Sequence, residues 1–103
     1  MKKIVLFCSA GMSTSLLVTK MREAAEKKGD EADIDAYSIS ELNEKIKDAD
    51  IVLIGPQIRY EEGNVKKAVD GRIPVDVINM QDYGTMNGDA VYSQAVKLMD
   101  EHQ

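Results

Sequence analysis

The chain has no tryptophan, one phenylalanine, two prolines, one histidine and one cysteine among its 103 residues. Each scarcity excludes something. A lone cysteine forms no internal disulfide. With His102 as the only histidine, one thiol supplies too few soft ligands for most metal sites, so neither a metal nor another cofactor is expected. There is no repeat, linker or low-complexity stretch, and residues 1–103 read as one domain. No apolar run approaches the ~20 residues that cross a bilayer. The brief apolar run after Lys2-Lys3 is too short for a signal peptide, so a cytoplasmic protein with no direct membrane insertion is expected. The formal net charge of −5 argues against nucleic acid, and Lys20, Arg22, Lys27 and Lys28 are interleaved with Glu23 and Glu26 as on a solvated helix face. No long apolar stripe demands a second copy, and a monomer is expected.

What the chain does contain is alternation of strand-like and helix-like segments. Strands are read at residues 3–8, 33–37, 51–54 and 75–78. Helices are read from Ser13 or Thr14 to a stop at Gly29, behind Ser38 with an inner stripe of Ile39, Leu42, Ile46 and Ala49, over 61–69, and over 89–101. Ser38 and Glu41 form a capping box, and residues 79–88 read as a loop. Strict alternation implies an α/β fold, a four-stranded parallel sheet with helices on both faces. The first and third strands are unbroken apolar runs suited to the centre. The second and fourth carry Asp35 and Asp76 and suit the edges, which gives the order 2-1-3-4. In that order the connections leave strands one and three in opposite directions, and a crevice opens at their carboxyl ends.

Cys8 stands at that crevice, ending the run Ile4-Val5-Leu6-Phe7 and preceding Ser9-Ala10-Gly11-Met12-Ser13-Thr14-Ser15. A thiol facing backbone N–H groups and a helix N-terminus is placed to ionise and to hold a phosphoryl group. Ala10 and Gly11 keep the turn slim, and Ser9, Ser13, Thr14 and Ser15 add hydroxyl donors, although Ser13 or Thr14 would serve as helix N-cap in any case. The competing reading of Cys8 is a buried structural cysteine.

The loop resembles the phosphate-binding loop C-x5-R-[ST] of low-molecular-weight tyrosine phosphatases, whose fold is similar to the one read here. Thr14 stands where that pattern has arginine, and the turn after the third strand reads Gly55-Pro56-Gln57 with no acid. Without a guanidinium fork, hydrolysis of a thiophosphate should be slow. Phe-Cys-Ser-Ala-Gly-Met-Ser-Thr-Ser-Leu-Leu-Val (residues 7–18), Val-Leu-Ile-Gly-Pro-Gln-Ile (52–58) and Val-Ile at 77–78 ahead of Tyr83-Gly84 resemble the IIB component of the bacterial sugar phosphotransferase system, lactose/cellobiose/chitobiose class, over essentially the whole chain. The resemblance implies that Cys8 accepts a phosphoryl group from a phosphohistidine of the IIA component. It implies that the group passes to a β-linked disaccharide bound by the membrane component IIC during uptake, with residues 9–15 around the phosphate.

Met12, Gln57, Ile58 and Tyr83 are read as a crevice rim on which both partners dock, with Met80 and Met86 nearby. Arg59 reads as solvated, Tyr60 as rim, Asp82 as without a role and His102 as a frayed tail. Two other classes compete: a small phosphatase or arsenate-reductase-like enzyme using the same loop, and a binding domain in which Cys8 only packs.

Overall fold

The computed structural model describes residues 1–8 and 12–102, apart from the side chains of residues 12–14. Strands β1 (Lys2–Cys8), β2 (Ala32–Ser38), β3 (Ile51–Ile54) and β4 (Val75–Val77) pair in parallel in the order β2-β1-β3-β4, as expected. Ile4 to Phe7 and Ile51 to Ile54 are fully buried because helices cover both faces. On one face α1 (Met12–Lys27) and α5 (Gly88–His102) bring Leu17, Met21, Val91 and Tyr92 against Ile4, Leu6, Ile34, Ile51 and Leu53. On the other, Val65 and Val69 of α3 (Glu62–Val69), with Ile46 just past α2 (Leu42–Lys45), pack on Val5, Phe7, Val52 and Ile54. Burying each such Val, Leu, Ile or Phe stabilises by roughly 1.5–3 kcal/mol, so the two central strands anchor the fold.

The aspartates on the edge strands are both engaged. The Arg22 guanidinium donates to the Ile34 carbonyl at 2.7 and 3.0 Å and to Asp35 Oδ1 at 2.7 Å, which blocks part of the open edge of β2. Asp76 Oδ1 accepts from the Val77 N–H at 2.8 Å, and its Oδ2 accepts from Gln94 Nε2 of α5 at 2.9 Å.

Three connections differ from what the sequence suggested. The helix expected behind Ser38 is a 3-10 turn (Ile39–Glu41) followed by the single turn of α2. The capping box forms, with the Ser40 N–H donating to Ser38 Oγ at 3.3 Å and the Ser38 N–H to Glu41 Oε2 at 3.4 Å. A 3-10 turn brings residues three apart onto one side, which aligns Ile39 with Leu42 against the core. The turn after β3 is likewise a 3-10 helix, Pro56–Glu61. The expected loop at 79–88 holds α4 (Met80–Gly84), capped by Asn79, whose Oδ1 accepts from Gln81 and Asp82 N–H groups at 3.0 and 3.1 Å. At the end of α1, Gly29 takes φ +71° and closes the helix through bonds from Gly29 N–H to Glu26 O and from Asp30 N–H to Ala25 O, both 3.0 Å.

Helices α1 and α5 meet through Gly88. A Cβ there would lie 2.4–2.6 Å from the Lys20 backbone and Cβ, a distance only backbone movement relieves. Gly88→Ala is therefore expected to destabilise by about 1–3 kcal/mol, read from the midpoint of urea unfolding; an unchanged midpoint contradicts the close contact. A second tie is Tyr92, fully buried, whose hydroxyl donates to Asp30 Oδ2 at 2.8 Å. Burial, then the bond to Asp30 and its charge, push the Tyr92 hydroxyl up from 10.0 to about 12. The unfolded chain loses this proton near pH 10 and the folded one near 12, so the stabilisation is complete below pH 10 and is lost between the two. The stability difference between wild type and Tyr92→Phe should fall by about 2–3 kcal/mol across that window, measured by denaturant titration at each pH; a flat difference would contradict it.

Candidate functional site

β1 ends at Cys8, opposite Ser38 of β2. The Gly55 N–H donates to the Phe7 carbonyl at 2.9 Å and the Ile78 N–H to the Ile54 carbonyl at 2.8 Å, so the central strands stay paired until their chains turn away. The chain after β1 joins α1 on one face, and the chain after β3 joins α3 on the other. The divergence expected from the strand order is therefore present, and Cys8 stands at it.

Cys8 is only 4% exposed, and its thiol donates to the Tyr37 carbonyl of β2 at 3.7 Å. The reactive reading and the packing reading of Cys8 therefore both start from a buried side chain. Cys8 alternates with Ile4 and Leu6 along β1 and so turns toward the covered face instead of outward. Ser9, Ala10 and Gly11 lie outside the described residues, as do the side chains of Met12, Ser13 and Thr14. The helix begins at Met12, slightly earlier than expected, so the positive end of its dipole lies four positions past Cys8. Ser15 is exposed, and its carbonyl accepts from Thr19 Oγ1 at 3.2 Å.

Across the divergence, Gly55 has φ −59° and ψ 141°, and Pro56 opens the 3-10 turn in the position where its missing N–H is not needed. The Gln57 side chain folds back over Gly55. The point where a Cβ on Gly55 would sit is 3.3 Å from Gln57 Oε1 and 3.9 Å from Cys8 Cβ. Gln57 is exposed, as are Arg59 and Tyr60.

Two residues read as rim lie beneath the surface. Ile58 is 2% exposed within the core on the α3 side, and Tyr83 is 6% exposed within the core on the α1/α5 side. Tyr83 is turned inward by the winding of α4, and Ile58 by a kink within 56–61, where its backbone leaves the helical region at φ −120° and ψ 31°. The large apolar side chains exposed at this end are Leu16, Tyr60 and Met80, each just past the carboxyl end of a strand. Leu16 was not singled out from the sequence; its place beside the inward-facing Leu17 was the available signal. Met86 is partly buried at φ +54°. His102 belongs to the last turn of α5, and its Nε2 lies 3.3 Å from the Arg72 carbonyl, ahead of β4 and away from Cys8. Among the described residues no group of His, Cys, Asp and Glu could hold a metal ion, and no helix is long and apolar enough to cross a membrane.

A family profile described as PTS system, lactose/cellobiose-specific IIB subunit, matches residues 3–94. The chain is 49% identical over 100 residues to the oligo-beta-mannoside-specific EIIB component of Bacillus subtilis, covering 96% of this chain and 97% of that protein. It is 45% identical over 105 residues to the cellobiose-specific EIIB component of Lactococcus lactis subsp. lactis, with the same coverage. The galactose-specific EIIB component of Lactococcus lactis subsp. cremoris matches with equal identity, length and coverage. The solution structure of a cellobiose-specific IIB component from Borrelia burgdorferi superimposes with a TM-score of 0.82 at 36% identity, over 99% of this chain and 94% of that one. The lactose-specific IIB domain of Streptococcus pneumoniae shares the fold, with a TM-score of 0.83 at 13% identity over 94% of this chain and 96% of that one. Profile, relatives and fold agree, and the chain belongs to the lactose/cellobiose-specific IIB family of the phosphotransferase system.

Proposed function

We propose that Cys8 is the phosphoryl carrier of this IIB protein, taking the group from a phosphohistidine of a IIA component and passing it to a sugar held by a membrane IIC component. In the first step Cys8 Sγ attacks phosphorus, the N–P bond breaks and the S–P bond forms. The thiol proton ends on the imidazole nitrogen that is released. In the second step a sugar hydroxyl attacks, the S–P bond breaks and the hydroxyl proton returns to sulfur. The observation that carries this reading is the position of Cys8, at the end of a central strand where the chain diverges and ahead of the α1 N-terminus. Residues 9–15 are proposed to cradle the phosphoryl group with main-chain and hydroxyl donors.

Thr14, in place of arginine, leaves no guanidinium to stabilise the extra charge of a hydrolytic transition state, which favours a carrier over a phosphatase. In the free protein the buried thiol points at a carbonyl, so transfer requires the sulfur to turn outward when a partner docks. Storage as a buried thiol also slows oxidation, which follows thiolate character and exposure. Met12 and Gln57 are proposed as docking residues, with Leu16, Tyr60 and Met80 widening the apolar rim and Ile58 and Tyr83 supporting it from below. The protein would work at the cytoplasmic face of the membrane. The sugar is proposed to be a β-linked disaccharide of the cellobiose type. The mannoside, galactose and cellobiose names occur at 49, 45 and 45% identity, so overall likeness does not rank them.

Incubation with phosphoenolpyruvate, the general phosphotransferase proteins and a cognate IIA should yield one phosphoryl adduct by intact mass, stable for minutes and absent from Cys8→Ser. Rapid release of inorganic phosphate would identify a phosphatase instead, and no adduct would remove the carrier reading. Without partners, iodoacetamide should modify Cys8 roughly tenfold or more slowly than in the urea-unfolded chain at the same pH; equal rates would contradict the buried resting thiol.

A further inference from the structure

Gly55 poses a problem that backbone geometry does not solve. Glycine is usually needed where φ is positive, yet Gly55 sits at φ −59° and ψ 141°, where any residue fits. The space above it is what a side chain would take. That space holds the end of the Gln57 side chain, and Cys8 Cβ borders it from the other side. The Gln57 carboxamide makes no hydrogen bond to any described residue, although it is folded back against the sheet end instead of extended into water. A long polar side chain gives up rotamer freedom in such a pose, and no bond to a described residue compensates.

We propose that Gln57 is a phosphoryl-binding residue: its carboxamide donates to the group carried on Cys8, and Gly55 is glycine so that the amide can reach it. The proposal rests on the phosphocysteine reading and extends it to the turn after β3. Half a turn about the last side-chain bond exchanges the oxygen and nitrogen of an amide, so the same pose presents an N–H₂ donor once an anion replaces the thiol proton. The donor is neutral. It can hold a dianion without the bidentate charge that arginine supplies to a hydrolytic transition state, which suits a group that must be kept and then surrendered. Pro56 shortens the range of positions open to Gln57 by fixing the start of the 3-10 turn.

The test measures the equilibrium between phosphorylated IIA and this protein, from the phosphorylated fraction of each by intact mass, for wild type, Gln57→Leu and Gly55→Ala. Equilibrium position separates holding from docking, because a residue that only helps the proteins meet changes the rate in both directions equally. Gln57→Leu is expected to shift the equilibrium toward IIA about tenfold, the loss of one hydrogen bond to a charged group. Gly55→Ala should shift it the same way by crowding the amide. Its melting temperature when unphosphorylated should be unchanged or raised, since alanine fits that φ and narrows the unfolded ensemble. An adduct on wild type with both variants at the wild-type equilibrium would overturn the role of Gln57 alone. A wild type that takes no adduct would overturn the phosphocysteine reading and this inference with it.

Discussion

β1 is paired with β2 along its whole length and with β3 over four residues, and its side chains from Ile4 to Phe7 are covered from both faces. A strand enclosed on four sides cannot slip by one residue without exchanging its two apolar faces, so its register is strongly specified. Cys8 inherits that precision because it is the last residue of the same strand. The bond from Gly55 N–H to the Phe7 carbonyl carries the constraint one step further, tying the turn after β3 to the strand end where the sulfur sits. The candidate site is thus built on a strand whose register is strongly specified, with the turns that leave it at its border.

The sheet was legible in the sequence because burial on both faces writes continuous apolar runs, and edge position writes interruptions. Ile51 to Ile54 reads as a strand with the bounds it has, and Asp35 and Asp76 mark the edges that Arg22 and Gln94 then serve. Helix faces were legible for the same reason. The short helices were less so, because a single turn is too brief to show a period. α4 announces itself only by Asn79 acting on two N–H groups, and the 3-10 turns only by apolar residues three apart. Exposure at the sheet end was read least well. Ile58 and Tyr83 resemble surface residues when the segment is taken for a loop, and become core residues once it winds.

The direction of the Cys8 side chain was set by parity along β1, which the sequence contains, but its consequence depends on what covers that face. The strand end is covered closely enough to leave 4% of Cys8 in contact with solvent. On the carrier reading this burial has a cost and a use. The thiol that donates to the Tyr37 carbonyl has to turn away from it to meet a partner, and until then the sulfur is held in reserve.

The same reading accommodates Thr14 in place of arginine. A guanidinium would neutralise the phosphoryl group in every state, including the one attacked by water. On the carrier reading, main-chain N–H groups and a carboxamide would offer partial charges whose strength depends on close approach, and a group seated on Cys8 would have that approach. Selectivity on that reading would come from geometry: the seated dianion would be satisfied, while an entering water would find no guanidinium to complete its transition state. The small residues at the site follow from this. Gly55 keeps a methyl out of the one space shared by the thiol-bearing strand and the amide that faces it.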